Sequence, residues 1–265
     1  NNSSSFYGGG VSCFYSSPTI KSSSIKNNNS NLGAGIYFSN SSNAIINLTT
    51  INSNNAGKGG GVYADGSPVN FYDSNINNNV STQDGGGLYV KHSTGLSIQS
   101  CNIENNTANE GGGIDIESCT IEVTNSQLRK NVANNGGGVK AYSYGNNSQF
   151  NNVTFIENHA FGSGGGIYAF ISHPDIQNSK FISNTANDFG GGAALVWCSS
   201  SGYDIELEKN IFIDNAATNG GGLSITNNNE SQHNIIQNTF SNNFATNYGD
   251  GIYTSNSSIE ISIIN

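Results

Sequence analysis

The chain has 265 residues and a formal net charge of −9, and only 10% of its residues are charged. Soluble proteins usually contain about 25% charged residues, so neutral polar groups must cover most of this surface. The scarcity of Lys and Arg excludes most nucleic-acid-binding proteins. A charged coiled coil is also excluded, because it needs many Lys, Arg and Glu residues and this chain has few of all three. The many Asn, Ser and Gly residues would suit a disordered chain, but 34% hydrophobic residues can form a core if they are regularly spaced.

A cluster of glycines recurs along the whole chain. The intervals of about 26 residues indicate ten stacked units in a single domain over residues 1–265. The last glycine of each cluster is Gly10, Gly35, Gly61, Gly87, Gly113, Gly138, Gly166, Gly192, Gly222 and Gly251.

Three short apolar runs follow one another within each unit. Directly after the glycines, apolar residues alternate with variable ones, as in residues 62–64 and 88–90. A second alternating run follows, as in residues 96–98, and a third places an apolar residue three positions before an asparagine, as in Ile103 and Asn106. A period of two predicts strands rather than helices. The pattern therefore predicts an all-β fold, a single-stranded parallel β-helix of about ten coils with three short strands per coil.

An asparagine recurs at one turn of the unit. Stacked side-chain amides at such a position can hydrogen-bond from coil to coil, so we predict a structural Asn ladder. A Ser or Ala two residues later, as in Ala108 and Ala133, indicates a corner that admits only a small side chain. The predicted ladder consists of Asn28, Asn54, Asn79, Asn106, Asn131, Asn158, Asn184, Asn215 and Asn243.

These motifs resemble the repeats of polymorphic outer-membrane proteins, which pair GGA[ILV] with FxxN. Here Gly-Gly-Gly precedes Ile, Val or Leu, and the FxxN counterparts begin at Phe155, Phe181, Phe212 and Phe240. The chain departs from the family in having Gly where Ala is usual, and Ile or Leu replaces Phe in the early units. The resemblance covers essentially the whole chain. It implies a right-handed parallel β-helix related to pectate lyases and an adhesive protein that is extracellular or at the cell surface, and it supplies no catalytic residue.

Charged side chains are concentrated at one place on the strand that follows the glycines. By alternation, Asp115 and Glu117 point outward there, with Lys91 on the coil before and Lys140 on the coil after. Two carboxylates and two lysines could bind a cation or serve as acid and base on a sugar chain, as in a polysaccharide lyase or epimerase. Alternatively, they form ion pairs between adjacent coils, each of small energy at an exposed site. Because the chain is acidic and Arg129 is its only arginine, we predict that it is not an enzyme.

Aromatic residues recur in the same outward columns. Such a stripe can stabilise stacked strands by ring contacts. It can also form a flat binding surface for a glycan or a cell-surface protein, since Tyr combines apolar area with a polar tip. The candidate binding residues are Tyr37, Tyr63, Tyr89, Tyr142, Tyr168, Phe170 and Tyr253.

The cysteines and histidines show no metal-ligand spacing, so we predict no metal site and no cofactor. By parity, Cys13 and Cys101 are expected to be buried, and Cys119 and Cys198 share a register three coils apart, too far to bridge. The abundance of Asn, Ser and Thr makes sequons frequent by chance, so they show only that glycosylation is possible. They include Asn40, Asn47, Asn152 and Asn256.

Neither end of the chain resembles a cap, so we predict a β-helix that is uncapped at both ends. Joining Asn265 to Asn1 restores the Asn turn and the glycine cluster in register. This pattern favours either copies of the chain stacked head to tail in a filament or flanking repeats of a longer chain. No apolar run approaches the length of about 18 residues that crosses a bilayer, and we predict no membrane span.

Overall fold

Parallel pairing between strands of successive coils organises the fold. We describe it from a computed structural model, which defines residues 1–40, 43–142, 147–198 and 205–263; for residues 229–233 and 258–263 it defines the backbone alone. Ile114–Glu117, for example, lies between Leu88–Lys91 and Val139–Tyr142 and pairs with both in parallel. The predicted right-handed parallel β-helix is confirmed, with about nine turns spaced about 26 residues apart.

The coils have the three predicted faces, and most of them also have a short strand at the corner before the glycine cluster. Face 1 follows the glycines and consists of Val11–Phe14, Ile36–Ser39, Val62–Asp65, Leu88–Lys91, Ile114–Glu117, Val139–Tyr142, Ile167–Phe170 and Ala193–Val196. Face 2 consists of Thr19–Lys21, Ala44–Asn47, Val69–Tyr72, Leu96–Gln99, Ile121–Thr124, Gln149–Asn151, Asp175–Gln177 and Glu206–Glu208. Face 3 consists of Ser24–Lys26, Thr50–Asn52, Asn75–Asn77, Asn102–Glu104, Gln127–Arg129, Thr154–Ile156, Lys180–Ile182 and Ile211–Ile213.

The last coils contain longer strands that continue around the corners from one face to the next. Leu223–Ser241 contributes to faces 1, 2 and 3, and Ile252–Ile263 contributes to faces 1 and 2. The corner strands are Asn29–Leu32, Asn55–Lys58, Val80–Ser81, Val132–Ala133, His159–Ala160, Thr185–Ala186, Ala216–Asn219 and Phe244–Tyr248.

The core runs along the axis and is filled by alternate residues of the three faces. Ile114 and Ile116 are fully buried in it, while Asp115 between them points to the other side of face 1. On face 3, Phe155, Phe181, Phe212 and Phe240 form a column of nearly parallel rings, with centroids 4.7, 4.5 and 4.7 Å apart. Stacking identical rings in successive coils adds directional ring contacts to the burial of apolar area.

The Asn ladder occupies the corner between face 3 and the corner strand. From Asn28 to Asn243, each side-chain amide Nδ2 donates to Oδ1 of the ladder asparagine in the next coil, at 2.9 to 3.1 Å. The same amide also donates to a face 3 carbonyl, as Asn131 does to Ile103 at 2.9 Å. Because these amides are buried, the ladder satisfies polar groups that would otherwise be costly inside the protein.

The other two corners carry ladders of small polar residues that the sequence reasoning missed. Between faces 2 and 3, the main-chain N–H of Thr49 donates to Ser74 Oγ at 3.1 Å, and that of Cys101 donates to Ser126 Oγ at 3.0 Å. Cys101 also accepts from the N–H of Ser74 and donates to Gln99 O. Cys101 therefore stands in the column where other coils place a hydroxyl. All four cysteines are buried free thiols, as predicted for Cys13 and Cys101.

Neighbouring coils are in close backbone contact at the glycine clusters. A Cβ added at Gly138 would lie 2.5 Å from the carbonyl oxygen of Gly166, closer than any side chain allows. Gly136, the first glycine of the same cluster, has a φ of +64°, a conformation that residues with a Cβ rarely adopt. The cluster thus combines a left-handed turn with direct backbone contact between coils.

Candidate functional site

The outward residues of face 1 lie against the residues that precede each glycine cluster. On the early coils, Leu32 packs against the ring cluster of Tyr37, Tyr63 and Tyr89, and Lys58 Nζ lies 4.9 Å from the centroid of the Tyr89 ring. Neighbouring rings in this cluster are 5.2 and 5.1 Å apart. The three tyrosines are only 6, 4 and 2% exposed. The expected flat, exposed stripe is therefore wrong for them, because the corner residues cover their rings.

A charged cluster continues this column on the next coils. Lys140 Nζ lies 3.2 Å from Glu110 Oε2 and 3.6 Å from Asp115 Oδ2. Asp115 is only 2% exposed, and burial raises the pKa of its carboxyl to about 7 although Lys140 opposes this shift. Burial acts to lower the pKa of Lys140, but the charges of Asp115 and Glu110 outweigh it and leave that pKa raised.

The other two candidate catalytic residues turn to different partners. Lys91 pairs in register with Glu117, yet its Nζ lies 3.2 Å from Asp65 Oδ2 on the coil before. Glu117 instead accepts a hydrogen bond from the hydroxyl of Tyr89. Of the four candidate catalytic residues, the structure thus brings only Asp115 and Lys140 into contact with each other. Lys91 and Glu117 each contact a residue outside this set.

Three contributors to this charged surface were missed by the sequence reasoning. Lys58, Asp84 and Glu110 all occupy the position directly before the glycine cluster. Lys58 Nζ contacts Asp84 Oδ2 at 2.6 Å, and Glu110 contacts Lys140. Their shared position in the repeat could have revealed them, because residues directly before the glycine cluster lie beside the face 1 strand that directly follows it.

Among the seven candidate aromatic binding residues, the more exposed ones lie on the later coils. Tyr142 is 41% exposed, and its ring lies 5.9 Å from that of Phe170 and nearly parallel to it. Tyr168 and Tyr253 are half-buried. They line opposite parts of a cleft of about 430 Å³ on face 1, together with Phe189.

The candidate glycosylation sites differ in accessibility. Asn40, Asn152 and Asn256 are exposed, whereas Asn47 is half-buried. In the sequon of Asn47, the hydroxyl of Thr49 is buried in the ladder between faces 2 and 3 and donates to Asn47 O at 2.9 Å. That hydroxyl is therefore engaged in the fold.

The first coil joins the Asn ladder through Asn2. Its main-chain N and its Nδ2 both donate to Asn28 Oδ1, at 3.1 and 3.0 Å. Asn265, which the predicted end-to-end junction also uses, lies outside the described residues. No group of three or more His, Cys, Asp or Glu within the described ranges is arranged to hold a metal ion. Across those ranges, the structure also contains no helix with the length and apolarity to cross a membrane.

Comparison with known families supports the repeat assignment. The family model described as "Right handed beta helix region" matches residues 1–155, more than half of the chain. The model described as "Chlamydia polymorphic membrane protein (Chlamydia_PMP) repeat" matches residues 152–169, which include Phe155, Asn158 and the following glycine cluster. No curated protein and no solved structure matches the chain. The repeat match indicates a surface protein.

Proposed function

Because the chain belongs to the family of right-handed β-helix regions, we propose that it is a non-enzymatic structural and adhesive part of an extracellular or cell-surface protein. The observation that carries this proposal is the Asn ladder, which is continuous from Asn2 to Asn243. From the coil of Asn2 to the coil of Asn243, each coil is tied to the next by side-chain amide hydrogen bonds, so this part of the chain forms a stiff rod and not a flexible linker. A rod with a neutral polar surface suits a stalk that presents contact residues away from a cell.

The pairing of the charged side chains supports a non-enzymatic role. A catalytic group must reach its substrate, but Asp115 is 2% exposed and its side chain lies against Lys140. Lys91 contacts Asp65, and Glu117 accepts from Tyr89. These contacts are typical of ion-pair and hydrogen-bond ladders that hold neighbouring coils together.

One observation favours an enzyme as the alternative. A carboxyl whose pKa is about 7, as for Asp115, is suited to general acid or base catalysis at neutral pH. The alternative is a polysaccharide lyase or epimerase. It is tested by incubating the protein with a panel of polysaccharides and measuring unsaturated or reducing sugar products. Product that forms with the unmodified protein and is lost in Asp115→Asn would replace the structural proposal by this one.

The contact surface of the adhesive part is proposed to be the exposed aromatic residues of the later coils. Beads coated with the protein are expected to adhere to cultured cells more strongly than beads coated with albumin. Tyr142→Ala should reduce adhesion because it removes an exposed ring that stacks on Phe170. Tyr15→Ala is the matched control, since Tyr15 is also exposed but lies on the first coil. Equal retention of protein-coated and albumin-coated beads would contradict the adhesive role.

The partners proposed for the ends are further coils, either from copies of this chain or from flanking repeats. The direction of the ladder supports this proposal, because each asparagine donates to the coil after it and accepts from the coil before it. An added coil before Asn2 would donate to Asn2, and one after Asn243 would accept from Asn243. Electron microscopy of the purified chain tests the filament form: head-to-tail stacking predicts fibres much longer than one molecule, and uniformly short particles would exclude it.

A further inference from the structure

We propose that the face 1 cleft between Tyr168 and Tyr253 is a binding subsite for one neutral pyranose ring of a glycan. This inference rests on the adhesive function proposed above, and it specifies a place and a ligand class for that function. The cleft is separate from Tyr142, whose exposed ring is the contact proposed for the bead experiment.

The cleft lies on the outward side of face 1 between two tyrosines of one column. At the second position of face 1, successive coils place Tyr168, Ala194, Ser224 and Tyr253 in register. Strands are spaced by about 4.8 Å, so the two tyrosines stand about 14 Å apart along the axis, and the two residues between them in the column are fully buried. The resulting cleft has a volume of about 430 Å³, within the range of about 300–1,000 Å³ that is typical of small-molecule sites.

Aromatic rings supply the apolar part of the cleft. Phe189 comes from the position directly before a glycine cluster, and its ring centroid lies 6.1 Å from that of Tyr253, with 29° between the planes. On the last coil, the ring of Tyr248 also lies 6.1 Å from that of Tyr253, with 22° between the planes. A pyranose ring carries C–H groups on its flat faces, and these pack well against the face of an aromatic ring.

Uncharged polar groups supply the remaining contacts. Thr226, Asn227, Ser255 and Asn256 line the cleft with hydroxyl and amide groups. Such groups can donate hydrogen bonds to the hydroxyls of a sugar and accept hydrogen bonds from them.

The charge of the cleft selects a neutral sugar. Among the described residues, its lining consists of aromatic, aliphatic, hydroxyl and amide side chains, such as those of Asn227 and Asn256, and includes no Lys, Arg, His, Asp or Glu. A uronate or sialic acid would find no cation among these lining residues, and the net charge of −9 would repel it. A purely apolar side chain of a protein partner would cover the hydroxyl and amide groups of the lining without hydrogen-bonding to them, so these polar groups favour a sugar over that occupant.

The single tryptophan of the chain provides a reporter for the test. Trp197 is 56% exposed and follows Val196, which lines the cleft. Fluorescence is recorded while glucose, galactose, mannose and N-acetylglucosamine are titrated in turn, with galacturonate as the charged comparison. The protein is produced without N-linked glycans, because Asn256 on the rim begins a sequon. We expect a saturable change with at least one neutral sugar and none with galacturonate.

Two variants and one control locate the binding. Thr226→Tyr places a large ring at a partly exposed position that lines the cleft, and it should weaken binding by at least about tenfold. Tyr253→Ala should weaken binding similarly by removing a ring, and Tyr15→Ala on the first coil should leave it unchanged. Thermal unfolding shows whether each variant is folded. If one variant fails to fold, the sugar binding of the other variant tests the proposal.

Several results would overturn the subsite. They are the absence of a saturable response to any neutral sugar, a response to galacturonate alone, and equal binding by the folded variants. If protein-coated beads still adhere to cells in that case, the cleft proposal fails while the adhesive function stands. If the protein binds a neutral sugar but protein-coated beads do not adhere to cells, the cleft proposal stands while the adhesive function fails.

Discussion

The side-chain amide of Asn131 donates to Oδ1 of Asn158 at 3.0 Å, across one step of the β-helix. Oδ1 of Asn131 accepts in turn from both nitrogens of Asn106, at 3.0 and 3.1 Å. One buried side chain therefore serves the coil before it and the coil after it, in addition to the carbonyl of Ile103. Such a residue fixes the position of three consecutive coils.

Replacing this residue should destabilise the fold strongly. Asn131→Ala leaves the donors of Asn106 and the carbonyl of Ile103 unpaired inside the protein, and we expect a loss of about 3 kcal/mol or more in the free energy of unfolding. Urea denaturation measures this loss. Asn102→Ala is the matched control, because Asn102 donates to Asn75 at 3.0 Å on the exposed side of face 3. A loss in Asn131→Ala no larger than in the control would refute the structural role of the ladder.

Adding one methyl group at a glycine cluster should be equally severe. Gly138→Ala adds a Cβ that would lie only 2.5 Å from the carbonyl oxygen of Gly166. Neighbouring coils must therefore separate to admit it. We expect a loss of more than about 3 kcal/mol in the free energy of unfolding, measured by denaturant titration. Gly95→Asn serves for comparison, since Gly95 has open space around its Cβ position and a φ of +77° that Asn tolerates. Similar stability of the two variants would argue against close coil contact.

The buried carboxyl of Asp115 should make stability depend on pH. Its pKa is about 7 in the folded protein, against an ordinary value of 3.8. Between these values the folded state retains a proton that the unfolded state releases, so the free energy of unfolding falls as the pH rises from about 4 to about 7. Asp115→Asn should remove up to about 4 kcal/mol of this fall.

The measurement is denaturant unfolding of both proteins at several pH values between 4 and 8. Glu122→Gln controls for the loss of one carboxylate, because Glu122 is exposed on face 2. If Asp115→Asn and the unmodified protein show the same pH dependence, the carboxyl of Asp115 is ionised normally in the fold.

The four thiols should be nearly inert while the protein is folded. All four are buried, and burial raises the pKa of Cys101 and Cys119 to about 11 and that of Cys198 to about 12. Since the thiolate is the reactive form, labelling with a chromogenic disulfide at pH 8 should be at least about 100-fold slower than in denaturant. In guanidinium chloride all four thiols should react promptly. Rapid labelling of the native protein would show that the coils open readily.

Residues that repeat with the coil could be predicted from the sequence. Asn131 and Gly138 stand in columns of nearly identical residues, so the spacing alone fixed their positions in the fold. The alternation within face 1 also placed Tyr89 and Asp115 correctly on the side opposite the core. In each case a local pattern was enough, because every coil repeats the same backbone path.

What covers those outward residues could not be predicted in the same way. Lys58 reaches the ring of Tyr89, and Glu110 reaches Lys140, because the chain bends at the glycine cluster and brings the preceding residue beside face 1. Parity gives the direction of a side chain but not its neighbours across a bend. Cys101 was recognised as buried, but its place in a hydroxyl ladder was hidden because Ser and Thr are abundant everywhere in this chain.

The ladders also make the length of the rod an adjustable quantity. Deleting residues 106–130 would join Asn105 to Asn131 and bring Asn131 into the position that Asn106 holds against Asn79. Every column would remain in register, and the rod would shorten by one strand spacing, about 4.8 Å. A deletion of half a coil would instead break all three ladders at once. Whole coils are thus interchangeable units, and the distance from one end of the rod to the other can change in fixed steps.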